Sequence, residues 1–85
     1  MDIEKIKGLI AHIWANALGI QKPIRTDDSF FELGGGSLSM MMVIHQLEEQ
    51  LGVKLSPLAL VEAPLLSDFS CAIQSAQMLR GGYVR

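Results

Sequence analysis

The sequence predicts an all-α protein: a small four-helix bundle with three main helices, a short third helix and a long loop between the first two helices. Apolar residues recur at steps of three and four in several segments, and no segment alternates with period two for long enough to form a strand. Of the 85 residues, 49% are hydrophobic and five are Met, without the runs of Val, Ile, Thr and Tyr that a β-sandwich needs. The length corresponds to a single domain over residues 1–85.

The first predicted helix covers residues 3–18. Its apolar side chains fall on one face, Asp2 is placed to cap its start, and Gly19 is placed to end it. The apolar residues are Ile3, Ile6, Leu9, Ile10, Ile13, Trp14, Ala17 and Leu18.

Residues 19–36 form a predicted loop, because they contain Pro, Thr and Asp and end in three successive glycines. A loop of this length in so small a domain is usually functional. Within the loop, residues 29–33 can form one helical turn, in which Phe30 and Leu33 hold the loop on the core.

Residues 37–51, followed by Gly52, form the second predicted helix, which carries two apolar stripes. At about 100° per residue, one stripe faces the core and consists of Met40, Val43, Ile44, Leu47 and Leu51. The second stripe lies nearly opposite and consists of Leu38, Met41, Met42 and His45. Either the first helix or the loop covers the second stripe, or the stripe is left for a partner. Met side chains adapt to several surfaces, which favours a partner.

A short third helix is predicted over residues 58–62. Ser56 and Pro57 before it are suited to the cap and the first helical position, and Pro64 ends it.

Ser67 can cap a final helix that reaches about residue 79 and is ended by a pair of glycines. The residues expected to face inward on this helix are Phe69, Ala72, Ile73, Ala76 and Leu79. Residues 81–85 are expected to form a flexible tail.

The composition excludes several classes of function. The formal charge is −2 and no Lys/Arg cluster could neutralise a run of phosphates, so nucleic acid is not an expected partner. The single cysteine, Cys71, has no second Cys for a disulfide or a metal site, and no metal is expected. The first five residues mix charges, unlike a signal peptide, and no long apolar run occurs. We therefore expect a soluble cytoplasmic protein without membrane contact.

Acidic residues lie around the second stripe. Between Thr26 and Val53 the chain has five acids and no Lys or Arg. These acids are Asp27, Asp28, Glu32, Glu48 and Glu49. An acidic rim around an apolar stripe attracts a basic partner surface before the apolar contacts form. A solvated face without a partner is the alternative.

Three successive glycines, Gly34, Gly35 and Gly36, stand immediately before Ser37 at the start of the second helix. They cost backbone entropy unless the turn needs unusual dihedral angles or another group approaches closely. A phosphate-binding P-loop does not fit, because no Lys follows and no strand precedes. A nucleophile elbow does not fit either, because it needs Gly where the chain has Ser39 and no His/Asp pair is evident. An ordinary helix N-cap is the simplest alternative for Ser37.

The segment DDSFFELGGGSLS, residues 27–39, resembles the core motif of thiolation domains, the peptidyl carrier proteins of nonribosomal peptide synthesis. Residues 51–55 and 60–64 resemble the same family's segments after the second helix and around the third. The resemblance implies a four-helix bundle in which Ser37 carries a covalent 4′-phosphopantetheine arm, whose thiol holds an aminoacyl or peptidyl group as a thioester. Gly35 and Gly36 would leave the Ser37 hydroxyl accessible. It also implies a carrier that catalyses no reaction itself.

The resemblance further implies the partners. A phosphopantetheinyl transferase attaches the arm, and adenylation, condensation, tailoring or thioesterase enzymes use it. The residues assigned to partner recognition are Phe31, Leu38, Met41, Met42 and His45. Residues 60–63 are expected to flank the arm, and the domain is expected to be a monomer.

Gly36 departs from the family pattern, which has Asp, His or Asn before the modified Ser, so it has no side chain with which to contact a transferase. Three alternatives stay open. Acyl carriers of polyketide or fatty acid synthesis usually have Asp-Ser-Leu, one fewer glycine and a more acidic second helix. An interaction module with an unloaded Ser37 would dock a partner through the second stripe alone. A hydrolase would need a base, and none can be named.

Overall fold

The computed structural model describes residues 2–78 and the pair Tyr83–Val84. Its four helices are α1 (Ile3–Leu18), α2 (Ser37–Leu51), α3 (Leu58–Glu62) and α4 (Leu66–Met78). Two strands of two residues each, β1 (Lys54–Leu55) and β2 (Tyr83–Val84), pair in parallel. The predicted small helical bundle, with its short third helix and its long loop before α2, is confirmed.

The strand pair is a feature that the sequence analysis did not predict. Lys54 lies opposite Tyr83, and Leu55 lies opposite Val84. A strand of two residues is too short to show an alternating pattern, so periodicity could not indicate it. The pairing differs from the flexible tail expected over residues 81–85. The other tail residues and Leu79, which was expected on the inner face of the last helix, lie outside the described residues.

Helix α1 forms as its sequence predicts. The Lys5 N–H donates to Asp2 Oδ1 at 2.9 Å, which satisfies a first-turn N–H that has no intrahelical partner. Gly19 ends the helix at φ +69°, a left-handed conformation that glycine adopts without steric cost. The helix packs against α2 and α4 through its buried face, which consists of Ile6, Ile10, Ile13 and Trp14.

An aromatic cluster joins the long loop to the helices. The rings of Trp14 on α1 and Phe69 on α4 are both fully buried, with centroids 6.2 Å apart. Phe30 comes from the loop, is also fully buried, and lies with its centroid 5.2 Å from that of Trp14. The Leu33 N–H donates to the Ser29 carbonyl at 3.0 Å, and the Leu33 side chain packs on the core. The predicted turn and its two anchoring residues are confirmed.

The start of α4 differs from the prediction, because α4 begins at Leu66 and Ser67 is its second residue. Ser67 is therefore not the N-cap. The Leu66 N–H donates to the Asp28 carbonyl and the Ser67 N–H to the Thr26 carbonyl, both at 3.0 Å. Backbone oxygens of the long loop thus satisfy the first N–H groups of the helix, so no side-chain cap is needed. A further bond, from the Phe30 N–H to the Pro64 carbonyl at 2.8 Å, holds the loop beside this end of α4.

Candidate functional site

Ser37 is the first residue of α2, and its side chain is exposed. The N-cap position belongs to Gly36, which has extended dihedral angles of φ −134° and ψ −170°. Since Ser37 lies after the cap, the interpretation of Ser37 as an ordinary N-cap is wrong. Among the described residues, its hydroxyl takes part in no hydrogen bond. The structure therefore presents an exposed serine whose hydroxyl is not used by the part of the fold that is described.

The three glycines before Ser37 are required to different degrees. Gly34 has φ +103°, which strains any other residue. A Cβ at Gly35 would overlap the ring of Phe30 and lie 2.7 Å from the Phe30 carbonyl oxygen. A Cβ at Gly36 would meet nothing within 4 Å. The turn and its packing thus account for Gly34 and Gly35. At Gly36, by contrast, there is room for the Asp, His or Asn that thiolation domains usually have before the modified Ser.

The start of α2 is suited to an anion at Ser37. The first helical bond runs from the Met40 N–H to the Gly36 carbonyl at 2.9 Å, so the N–H groups of Ser37, Leu38 and Ser39 have no intrahelical acceptor. No acidic residue stands in the first turn to compete for the positive end of the helix dipole. Free N–H groups and the dipole both favour a phosphate ester on the Ser37 hydroxyl. The residues present therefore fit a 4′-phosphopantetheine group.

The second stripe of α2 is exposed beside Ser37. Leu38 is 77% exposed, Met41 53% and Met42 44%, so among the described residues neither α1 nor the loop covers them. His45 continues the stripe and is also exposed, with its Nε2 3.4 Å from Glu49 Oε2. The opposite face of α2 buries Val43, Ile44 and Leu47 in the core, as predicted. In the described part of the chain, this helix therefore leaves one apolar face largely exposed.

Two other segments, the loop before α2 and helix α3, also expose apolar side chains. Phe31 is exposed, and its ring lies edge-on to that of Phe30 with centroids 5.4 Å apart. On α3, Leu58 and Val61 are exposed. Leu60, one of the residues expected to flank the arm, is fully buried in the core and offers the arm no surface. A helix of five residues is too short for its buried face to be inferred from periodicity, and Leu58 was missed for the same reason.

The five acids of the predicted rim have different roles in the structure. Asp28 Oδ2 accepts a hydrogen bond from the Arg25 N–H at 2.8 Å. Glu48 Oε2 accepts one from the Leu55 N–H, also at 2.8 Å, and so supports β1. These two carboxylates hold the backbone. The remaining three, Asp27, Glu32 and Glu49, are exposed. Arg25, which lies just outside the counted stretch, places its Nε 3.6 Å from Asp27 Oδ1 and offsets part of the charge of the rim.

The described residues offer no metal site and no membrane span. Within residues 2–78, no cluster of three or more His, Cys, Asp or Glu side chains is arranged to hold a metal ion. None of the helices in this range is sufficiently long and apolar to cross a bilayer. Cys71 is an exposed free thiol on α4.

Comparisons with known proteins identify the family of the chain. The family model described as a phosphopantetheine attachment site matches residues 8–73. Gramicidin S synthase 2 of Aneurinibacillus migulanus is 41% identical over 68 residues, which are 80% of this chain and 2% of that protein. The structure is also similar to a chain of the Pax NRPS docking domain complex, PaxA T1-CDD/PaxB NDD, with a TM-score of 0.81 and 31% identity. The similar region covers 91% of this chain and 73% of that chain. A chain of the Sfp transferase complex with coenzyme A and a peptidyl carrier protein has a TM-score of 0.77 at 27% identity, over 82% and 90% of the two chains.

The chain belongs to the phosphopantetheine attachment family. Within that family it is similar to the peptidyl carrier, or thiolation, domains of nonribosomal peptide synthetases. The resemblance drawn from residues 27–39 is thereby confirmed, and so is 4′-phosphopantetheine as the group that the family carries. The chain spans 2% of the length of gramicidin S synthase 2, so it corresponds to one small segment of that protein.

Proposed function

We propose that Ser37 carries the 4′-phosphopantetheine and that the domain carries aminoacyl or peptidyl groups as thioesters between enzymes of nonribosomal peptide synthesis. The exposed Ser37 hydroxyl at the start of α2, free of hydrogen bonds among the described residues, supports this assignment. Gly36, at which even a Cβ would meet nothing within 4 Å, leaves that side of the serine open, whereas Gly35 packs on Phe30. The terminal thiol of the arm supplies the thioester linkage.

Attachment requires Ser37 Oγ to act as a nucleophile toward coenzyme A held by a transferase. The Oγ–P bond forms, and the bond between that phosphorus and the bridging pyrophosphate oxygen breaks. The adenosine bisphosphate leaves, and the hydroxyl proton passes to a base of the transferase or to solvent. The N–H groups at the start of α2 stabilise the resulting phosphodiester, because its negative charge lies at the positive end of the helix dipole.

The domain is proposed to be a carrier without catalytic activity of its own. Both histidines have other neighbours: His12 Nε2 lies 3.2 Å from the Asn16 side-chain nitrogen, and His45 lies beside Glu49. Neither is hydrogen-bonded to Ser37 as the base of a hydrolase would be. The carrier contributes a high effective concentration of its tethered group at successive enzymes.

The proposed partners are a phosphopantetheinyl transferase and the adenylation, condensation, tailoring or thioesterase enzymes of the same synthesis. The exposed stripe beside Ser37 supports this proposal, because an apolar patch next to the attachment point lets an enzyme bind the domain and reach its arm together. The particular partners, a cytoplasmic location, the monomeric state and the flexible end of the tail stay predictions.

The proposal is tested by modification with coenzyme A and a broad-specificity phosphopantetheinyl transferase, followed by intact-protein mass spectrometry. The wild type should gain one phosphopantetheine and Ser37→Ala none. Ser75→Ala is the matched control, because Ser75 is also an exposed helical serine, and it should be modified at the wild-type rate. A folded wild type that stays unmodified would contradict the proposal and leave an unloaded interaction module.

A further inference from the structure

Gly36 lies between two residues whose positions are fixed by other means. The Gly35 N–H donates to the Phe30 carbonyl at 3.0 Å, and Gly35 packs directly on the Phe30 ring. Ser37 is part of α2. Gly36 has neither a side chain nor a close neighbour at the position of a Cβ. Packing therefore fixes the residues on both sides of Gly36, the joint between the turn and α2, but it does not fix Gly36 itself. Glycine also has the greatest backbone freedom of any residue.

Besides the helical bond that its carbonyl accepts from the Met40 N–H, Gly36 is restrained by one side chain. Ser39 Oγ accepts a hydrogen bond from the Gly36 N–H at 2.9 Å and donates one to the Gly36 carbonyl at 3.1 Å. Both polar groups of Gly36 are thus tied to a single oxygen on α2. The start of α1 is capped in the opposite direction, because there the cap residue Asp2 accepts from the Lys5 N–H further along the chain. At α2 the cap residue has no side chain, so the third helical residue reaches back.

We infer that Ser39 is a positioning residue for the modification of Ser37, an inference that rests on the proposed function. Ser39 acts through Gly36: it fixes the peptide that precedes Ser37, and so fixes the direction from which the transferase approaches the hydroxyl. Without the two hydrogen bonds, Gly36 samples further backbone conformations, and only a fraction of the molecules presents Ser37 in the reactive orientation. The transferase then has to order the joint itself, at a cost in transfer rate.

The size of the effect follows from the free energy that a hydrogen bond contributes. The net contribution of one hydrogen bond corresponds to a change of about two- to tenfold in the equilibrium between two conformations. We expect Ser39→Ala to lower kcat/KM for phosphopantetheinyl transfer by about that factor. Ser39→Thr keeps the hydroxyl and should stay close to the wild-type value. Gly36→Ala, introduced into Ser39→Ala, should recover part of the loss, because the Cβ has room and narrows the accessible backbone conformations.

The matched control is Asp2→Ala, which removes the cap of α1 and should lower the thermal stability of the domain by an amount similar to that of Ser39→Ala. All variants are measured with coenzyme A and the transferase at a temperature at which each is fully folded by circular dichroism. The inference requires slow transfer in Ser39→Ala and wild-type transfer in Asp2→Ala.

Equal rates for wild type and Ser39→Ala would overturn the inference while leaving Ser37 as the attachment site. Equal slowing by Asp2→Ala would also overturn it, because general destabilisation would then explain the loss. Failure of the wild type to react would remove the proposed function and this inference together.

Discussion

The contrast between Gly35 and Gly36 gives the sharpest test of how the turn before α2 is built. Gly35→Ala places a Cβ against the fully buried ring of Phe30 and 2.7 Å from its carbonyl oxygen. Phe30 has little room to move, because its ring contacts Trp14 at a centroid distance of 5.2 Å. The substitution therefore acts as overpacking, which costs about 1–3 kcal/mol of the free energy of unfolding. In a domain of this size, each kcal/mol lowers the melting temperature by about 4–8 °C.

Gly36→Ala is the matched control, one residue further along the chain. Its Cβ meets nothing within 4 Å, and φ −134° is open to every residue. Replacing a glycine without strain stabilises a protein by about 0.4–1 kcal/mol, chiefly because the unfolded chain has fewer conformations. Thermal unfolding followed by circular dichroism and by the fluorescence of the single Trp14 measures both variants. If Gly35→Ala melts at the same temperature as Gly36→Ala, the packing account of Gly35 is wrong.

Two further predictions compare pairs of variants: one pair distinguishes a surface side chain from a core side chain, and the other tests a side chain that supports the backbone. Met42→Asp should keep the melting temperature near that of the wild type, because Met42 is half exposed on the second stripe, but it should weaken loading by an adenylation or condensation partner. Leu60→Asp should unfold the domain, because it places a charge in the core. Unfolding of Met42→Asp would show that the stripe belongs to the core. Glu48→Ala should cost about 1–3 kcal/mol, because the N–H of the buried Leu55 loses its acceptor. Glu49→Ala, on the exposed face, should change the free energy of unfolding by at most about 0.5 kcal/mol. If chemical denaturation shows equal losses for Glu48→Ala and Glu49→Ala, the role of Glu48 is refuted.

Local signals were sufficient for the two long helices at the start of the chain. The bounds of α1 and α2 agree with the prediction, because Asp2, Gly19 and Gly52 act within a few residues of the helices they begin or end. The burial of Phe30 could also be predicted, because two apolar side chains within a polar loop need a core to pack on. These are short-range effects that a sequence displays directly.

Interactions between distant segments account for what the sequence did not predict. The first N–H groups of α4 are satisfied by backbone oxygens about 40 residues earlier, which no side-chain pattern near Ser67 could indicate. Similarly, β1 and β2 are defined only by their pairing. At the site, the motif singled out Ser37, whose role as the attachment point stays a prediction, and the periodicity of the second helix indicated the exposed stripe. The different roles of Gly34, Gly35 and Gly36 depend on their dihedral angles and spatial neighbours, which a run of three identical residues in a sequence does not reveal.

The backbone cap of α4 has a consequence for how the long loop can vary. Every amino acid has a carbonyl group, so the oxygens of Thr26 and Asp28 that terminate α4 survive any side-chain replacement that keeps the local backbone path. A single deletion between Thr26 and Phe30 would change the spacing among these two oxygens and the Phe30 N–H, so that they could no longer all meet their partners at the start of α4. The cap itself therefore tolerates a change of residue type at the exposed Thr26 but not a change in the length of this stretch, in which Asp28 and Phe30 have roles of their own.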